Sequence, residues 1–349
     1  MGGTGSADGA RPRRADREDI QPGEALGSIV PASHVPVLCA EVIQALAPRS
    51  GGRYIDCTVG QGGHARAILE HSSPDGRLLG LDADPQAIAV AGQNLAPWRD
   101  RVILVHSNFV HVSSIAYAYQ FAPVDGILLD LGWSSAQVED PARGFSFMVD
   151  GPLDMRYDPS GGITAADLVN SLSERELADL LWEYGEERYA RRIARAIVAH
   201  RPITRTRELA ELIERTVGRR EKIHPATRTF QALRIRVNDE LGVLQRTLEQ
   251  LPDLLAPGGV LVVITFHSLE DRIVKQFMQR EASACICPPE APICTCGHVP
   301  RLELMYRKPV VPTPAEVAAN PRARSAKLRA ARRLPPDGAP RSVGGHSTV

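Results

Sequence analysis

The chain has no apolar run near the ~18 uninterrupted residues that a membrane-spanning helix requires, and its N-terminus, rich in Gly, Arg and Asp, lacks the apolar centre of a signal peptide. These absences speak against a membrane partner and lead us to expect a cytoplasmic protein. Excess charge of either sign is also missing, with 41 basic and 41 acidic residues. Net charge therefore does not announce nucleic acid, and any RNA-binding surface must come from local clustering. Internal repeats are absent, which excludes a solenoid. What is present, 349 residues of which 43% are hydrophobic and 23% charged, suits one large globular domain with a smaller companion.

Cysteine is scarce but unevenly spread. Cys39 and Cys57 stand alone, while Cys285, Cys287, Cys294 and Cys296 form a tight group ahead of His298. In a reducing compartment such a group reads as a metal site sooner than as disulfides. Four thiolates suit tetrahedral zinc, yet Cys-x-Cys is tighter than the usual two-residue spacing. Zinc and simple reduced thiols both remain open, and no metal is assigned.

Residues 1–30 carry little apolar periodicity and are expected to form a disordered extension. From Tyr54 onward, short apolar runs alternate with amphipathic segments. The runs are Tyr54–Asp56, Arg77–Asp82, Arg101–Val105, Gly126–Asp130 and, much later, Gly259–Ile264. Strands alternating with helices imply a parallel α/β sheet. The long interval after the fourth run holds the charged, amphipathic segments Thr164–Tyr184, Arg188–Arg201 and Arg207–Val217, which predict an inserted helical domain over 141–222. In Arg188–His200, Ile193, Ala194 and Ile197 share one side and Arg191, Arg192 and Arg195 occupy the others. A solvated charged face and an RNA contact both fit that pattern. The sheet domain is thus expected over 31–140 and 223–310. Residues 311–349, with Arg322, Arg324, Lys327, Arg329, Arg332 and Arg333 close together, are expected to form a basic C-terminal tail suited to a phosphate backbone.

The segment Tyr54-Ile55-Asp56-Cys57-Thr58-Val59-Gly60-Gln61-Gly62-Gly63-His64 reads as a strand ending in a carboxylate and a glycine-rich turn into a helix. Without Cβ atoms, the backbone can pass close beneath a bound cofactor. The next strand ends at Asp82, about 20 residues past the glycines, where a Rossmann-like fold places the acid that holds ribose hydroxyls. A dinucleotide would need the turn for its pyrophosphate, which Asp56 would repel, and GxGG departs from GxGxxG. S-adenosylmethionine has no phosphate and carries an ammonium and a sulfonium, so it fits better. Asp130 ends the fourth strand at the edge where substrates of open α/β sheets bind. Gln137 follows on the same loop, placed for an amide contact or simply for the surface.

Eight blocks together resemble the bacterial small-subunit ribosomal RNA cytosine-N4 methyltransferases of the MraW family: HVPVL from His34, GQGGH from Gly60, LDADPQAI from Leu81, DGILLDLGWSS from Asp125, RGFSFMVDGPLDMR from Arg143, HPATRTFQALRIRVNDEL from His224, FHSLEDRIVK from Phe266 and NPRARSAKLR from Asn320. The resemblance runs from about His34 to Arg333. It implies a Rossmann-like class I S-adenosylmethionine methyltransferase fold with an inserted helical domain. It also implies cofactor contacts from Gly62, Gly63, His64, Asp82, Phe109, Asp130 and Gln137, and a target cytidine in the decoding region of 16S ribosomal RNA within the small subunit. Trp133 departs from the family, which carries a small aliphatic residue in DLGVSS; its indole could stack on a base or fill a pocket wall.

Methyl transfer needs the acceptor nitrogen in line with the methyl and sulfur. Cytosine N4 is a weak nucleophile, its lone pair delocalised into the ring, so an acceptor drawing the amino group out of plane would help. DNA amino-methyltransferases use Asp/Asn-Pro-Pro-aromatic for this, which the chain lacks. Asp130 occupies the corresponding strand end and is one expected catalytic residue; His267 is the other, as acceptor of the departing proton, although a helix-capping role fits it too. Arg143, Asp154, Arg156, Arg228 and Asn238, with Glu240, are the expected RNA contacts. A non-catalytic RNA-binding assembly factor and a DNA amino-methyltransferase are the alternatives, and a homodimer is left open.

Overall fold

The computed structural model describes residues 1–2, 36–219, 223–288, 291 and 293–336. The strands among them form a single sheet: β1 (Arg53–Asp56), β2 (Arg77–Asp82), β3 (Val102–His106), β4 (Val124–Asp130), β5 (Leu255–Thr265), β6 (Leu302–Leu304) and β7 (Lys327–Arg333), ordered β3-β2-β1-β4-β5-β7-β6. β1 to β5 are parallel, and β7 runs antiparallel between β5 and β6. Sheet and helices alternate as the apolar runs predict, because strands covered on both faces must be apolar almost continuously. Period-two alternation divides them between two cores. Ile55, Leu79, Ile127, Leu129 and Leu261 enter one, and Tyr54, Leu78, Leu128 and Val262 the other. Strand order reverses at β1, so a crevice opens beyond the carboxyl ends of β1 and β4.

A third core belongs to the insert. Helices Ala165–Ser171, Glu174–Gly185, Ala190–Ala199, Thr206–Val217 and Ala226–Asn238 bury Leu168, Leu181, Ile193, Ile213 and Leu233 against one another. Thr164 and Ser173 each make a reciprocal capping box, with Asp167 and Glu176, and this splits the expected single segment Thr164–Tyr184 into two helices. The expected boundary at 222 also moves. Phe230, Ala232 and Leu233 pack into the helical core, and the chain returns to the sheet only at Asp239, left-handed at φ 47°, after which Leu244 and Leu248 join the sheet core.

The expected basic tail is corrected as well. Lys327–Arg333 is strand β7, with Leu328, Ala330 and Ala331 buried, and two of its cations are engaged inside the protein: Arg329 makes two hydrogen bonds to Asp271, which Lys327 also meets. Residues 337–349 and the expected extension 1–30, apart from Met1 and Gly2, lie outside the described residues. No helix among those described is long and apolar enough to cross a membrane.

Candidate active site at the carboxyl edge of the sheet

The turn after β1 is built for close approach. Gly62 has φ +89°, where an L side chain is strained, and a Cβ there would stand 3.1 Å from Leu95. Gly63 opens helix Gly63–His71, and a Cβ on it would meet Pro36 at 3.2 Å. The helix carries His64, buried, back over the sheet edge. At the tip of β2, Asp82 accepts the amide hydrogens of Gly60 and Asp84, each at 2.9 Å, and so ties the glycine turn to the second strand. At the tip of β4, the Asp130 amide donates to Thr58 Oγ1 at 2.7 Å. Asp56, His64, Asp82 and Asp130 thus converge from three strand ends and one helix.

The electrostatics of this group are unfinished. Asp56 Oδ2, Asp130 Oδ1 and both His64 ring nitrogens are buried without a hydrogen-bond partner, although His64 Nε2 lies 3.5 Å from Asp130 Oδ2. Burial raises the Asp56 carboxyl to about 7 against the opposing pull of His64 and the Thr58 amide. Burial would lower His64, but its contacts with Asp130 and Cys39 and the charges of Asp130 and Asp56 hold it at about 10. Asp82 is raised to about 6 by burial despite its two amide donors. An unsatisfied buried polar group costs about 1–3 kcal/mol, so a ligand that supplies donors and positive charge would be favoured here. An ammonium and a sulfonium, with ribose hydroxyls at Asp82, meet that need; a pyrophosphate would not. Beyond β2 and β3 a cavity of about 290 Å³ is lined by Ala83, His106, Asn108, Tyr157 and Asn238. Phe109 follows directly in the short 3-10 turn Phe109–His111, capped by Asn108.

The other expected site residues fare differently. Gln137 is buried: its Oε1 accepts from the Ser134 amide and its Nε2 donates to Asp84 Oδ2 at 2.8 Å, which corrects the surface reading and leaves one amide hydrogen for a ligand. Arg143 is withdrawn from the RNA contacts, because its guanidinium is buried, ion-paired with Asp84 at 2.7 Å and bonded to the carbonyls of Arg156 and Tyr157. Asp154 and Arg156 hold each other at 2.7 Å, and Asn238 holds the Tyr157 amide and Met155 carbonyl. All three shape the loop, and Arg156 and Asn238 also line the cavity beyond β2 and β3. Glu240 is taken up by a two-pronged contact with Arg234 and by the Tyr157 hydroxyl. Arg228 is half-buried on helix Ala226–Asn238. His267 is the N-cap of helix Ser268–Ala282, with Nδ1 facing the Glu270 amide and Nε2 3.1 Å from Glu270 Oε1. Both its nitrogens face Glu270, which is the arrangement of a helix cap, while Nε2 makes no hydrogen bond. Trp133 is partly exposed at the rim, with the Arg234 guanidinium 5.2 Å from its ring centre.

Two residues escaped the sequence reading. Asp84 is the hub that caps helix Pro85–Asn94 and binds both Gln137 and Arg143. Its place before Pro85 signals an N-cap, but nothing local signals its distant partners. Arg234 is the other, buried against Glu240 beneath Trp133.

Sheet order, the acid-tipped glycine turn and the second-strand acid define a class I S-adenosylmethionine-dependent methyltransferase. Residues 31–334 match the MraW methylase family, and the chain belongs to it. Ribosomal RNA small subunit methyltransferase H of Thermomicrobium roseum is 56% identical over 318 residues, 90% of this chain and 98% of that one. Proteins of the same name from Dehalococcoides mccartyi (53%, 86% of each chain) and Symbiobacterium thermophilum (55%, 86% of this chain and 96% of the other) are similarly close. Among solved structures, a putative rRNA methylase from Clostridium thermocellum aligns at 13% identity and TM-score 0.41 over 85% of this chain and 97% of that one, too distant to carry weight.

Proposed function

We propose that this protein methylates the exocyclic N4 amino group of a cytidine in the decoding region of 16S ribosomal RNA, acting in the cytoplasm on the small ribosomal subunit. The observation that carries the reading is Asp130, whose Oδ1 is buried and unpartnered at the tip of β4, beside the acid-lined turn. Relatives named ribosomal RNA small subunit methyltransferase H support the substrate class.

Bound S-adenosylmethionine supplies an electrophilic methyl on a sulfonium. Asp56 and Asp130 present carboxylate to that cationic end, Asp82 receives the ribose hydroxyls, and Gly62 and Gly63 let the backbone approach. Phe109 flanks the adenine end, and Gln137 adds its remaining amide hydrogen. Asp130 accepts a hydrogen bond from the N4 amino group, which draws the nitrogen lone pair out of conjugation and aligns it for in-line attack. As the nitrogen took the methyl and the electron pair of the broken S–C bond stayed on sulfur as a neutral thioether, the proton lost from N4 would pass to Asp130 and then to solvent. His64, held positive between two carboxylates, fixes the orientation of Asp130. The target base must leave its stack to reach this edge, and Trp133 offers a ring at the rim. Arg191 and Arg192, exposed on helix Ala190–Ala199, are among the cations placed for phosphate.

The test is mass spectrometry of ribosomal RNA nucleosides from cells with and without the gene, paired with tritium transfer to assembled small subunits, naked RNA and DNA. Loss of N4-methylcytidine and labelling of the subunit are expected. An unchanged nucleoside profile, or labelling of DNA alone, would overturn the assignment.

A further inference from the structure

Helix Ser268–Ala282 ends in a long connection to β6 that holds no regular structure among its described residues, 283–288, 291 and 293–301. Both ends of the connection are fastened to the last turn of the helix. The Arg301 amide donates to the Glu281 carbonyl at 2.8 Å, the Arg301 guanidinium pairs with Glu281, and His298 Nε2 meets the Arg280 carbonyl at 2.9 Å. The four clustered cysteines lie between these anchor points.

Their sulfurs, Cys285, Cys287, Cys294 and Cys296, all fall within 4.8 Å of one another. Cys294 and Cys296 are 3.5 Å apart, and Cys296 and Cys285 3.9 Å. A tetrahedron with Zn–S bonds of about 2.3 Å has sulfur-to-sulfur edges of about 3.8 Å, and the contacts bracket that length. A disulfide needs about 2.05 Å, so these pairs are not bonded to each other. Two amides point at the sulfurs: that of Cys287 at Cys285 Sγ, 3.4 Å, and that of His298 at Cys296 Sγ, 3.5 Å.

Hydrophobic burial does not explain the convergence. Cys285 and Cys294 are exposed, and the neighbouring Ile286 and Ile293 face solvent rather than covering them. Four thiols gathered from a Cys-x-Cys pair and a second pair six residues on, with no apolar cover, need another source of cohesion. The second grouping of potential ligands, Glu240, His267 and Glu270, differs in that Arg234 already neutralises it.

We propose that Cys285, Cys287, Cys294 and Cys296 bind one structural zinc ion that closes this connection onto the end of helix Ser268–Ala282 and so secures the β6–β7 edge of the sheet. Binding converts four thiols and Zn²⁺ into a tetrathiolate complex of charge 2−, with release of four protons, and the amides of Cys287 and His298 share that charge. The set is closed, with four protein ligands and no position for water, which makes its role structural. His298 stands outside the set: its Nε2 meets the Arg280 carbonyl, and the ligand atoms that gather within 4.8 Å are the four sulfurs. The proposal stands apart from the methyl-transfer reading, since no residue of the carboxyl edge takes part.

The experiment uses the full chain, untagged and reduced, reconstituted with zinc and freed of excess metal. One zinc per chain is expected by elemental mass spectrometry, with four thiols becoming reactive as the ion is displaced by a mercurial. Cobalt substitution should give the thiolate charge-transfer and tetrahedral d–d bands of an S₄ site. Cys294→Ser with Cys296→Ser should abolish both, whereas Cys39→Ser should leave both unchanged. Absence of stoichiometric zinc with four reactive thiols, stoichiometric iron in its place after expression without added metal, or a disulfide within the group under reducing conditions would each overturn the proposal. Should the double variant fail to fold, the cobalt spectrum of the unmodified chain decides.

Discussion

The carboxyl edge of the sheet and the junction between sheet and helical insert both bury charge, and they treat it oppositely. At the junction, Arg143 meets Asp84 and Arg234 meets Glu240, each within hydrogen-bond distance and nearly excluded from solvent. At the edge, Asp56, His64 and Asp130 keep buried atoms that no protein group satisfies. The first arrangement holds the insert against the sheet; the second costs stability, and a cationic donor-bearing ligand at the two carboxylates would recover part of it. Matched pairs build the frame, and the unmatched atoms that cluster, those of Asp56, His64 and Asp130, lie where the chemistry is expected, while Ser72, Thr229 and His267 each leave a single buried atom unmatched elsewhere. This contrast also accounts for Arg143, read from sequence as an RNA contact and found buried against Asp84.

Replacing Asp130 by Asn should break the contrast most sharply. Loss of its acceptor charge is expected to lower methyl transfer about 10³-fold, with a smaller fall in the urea midpoint near neutral pH because the buried, positively charged His64 loses a counter-charge. Undiminished single-turnover transfer would remove the carboxylate from the chemistry. At the junction the expectation inverts. Arg234→Met leaves Glu240 buried without its partner and should destabilise the fold by about 3 kcal/mol, measured by equilibrium urea unfolding; a change below about 1 kcal/mol would mean that water reaches the pair.

A smaller effect sharpens the comparison through pH. Because the Asp56 carboxyl sits at about 7 without ligand and a cationic donor favours its ionised form, binding must release a proton below that value. Donor affinity should therefore rise with pH, by at most tenfold per unit, up to about 7 and level off above it. Calorimetric titration with S-adenosylmethionine across this window should show the slope flattened in Asp56→Asn. A slope that survives the substitution would assign the titration to Asp82, which is raised to about 6.

Much of the sheet was readable before any coordinates. Five parallel strands appear within a few residues of their apolar runs, and β2 matches Arg77–Asp82 at both ends. The acids at three strand tips and the glycine turn follow from those runs, since an acid ending a buried strand must emerge at the sheet edge. β7 was missed because its signal, Leu328 followed by Ala330 and Ala331, is thin, and its four cations read as a phosphate-binding tail. Only Asp271, 56 residues before Lys327 in the chain, makes that strand acceptable in the sheet.

Local order along the chain thus settled which segments are strands and helices and which acids stand at strand ends, because periodicity and capping act over a few residues. Which charges are spent and which remain available was decided only in three dimensions. Asp84 meets Arg143 across 59 positions and Leu38 meets Glu316 across 278. Whether a buried group is satisfied depends on partners that distant, and no pattern within a single segment carries that information.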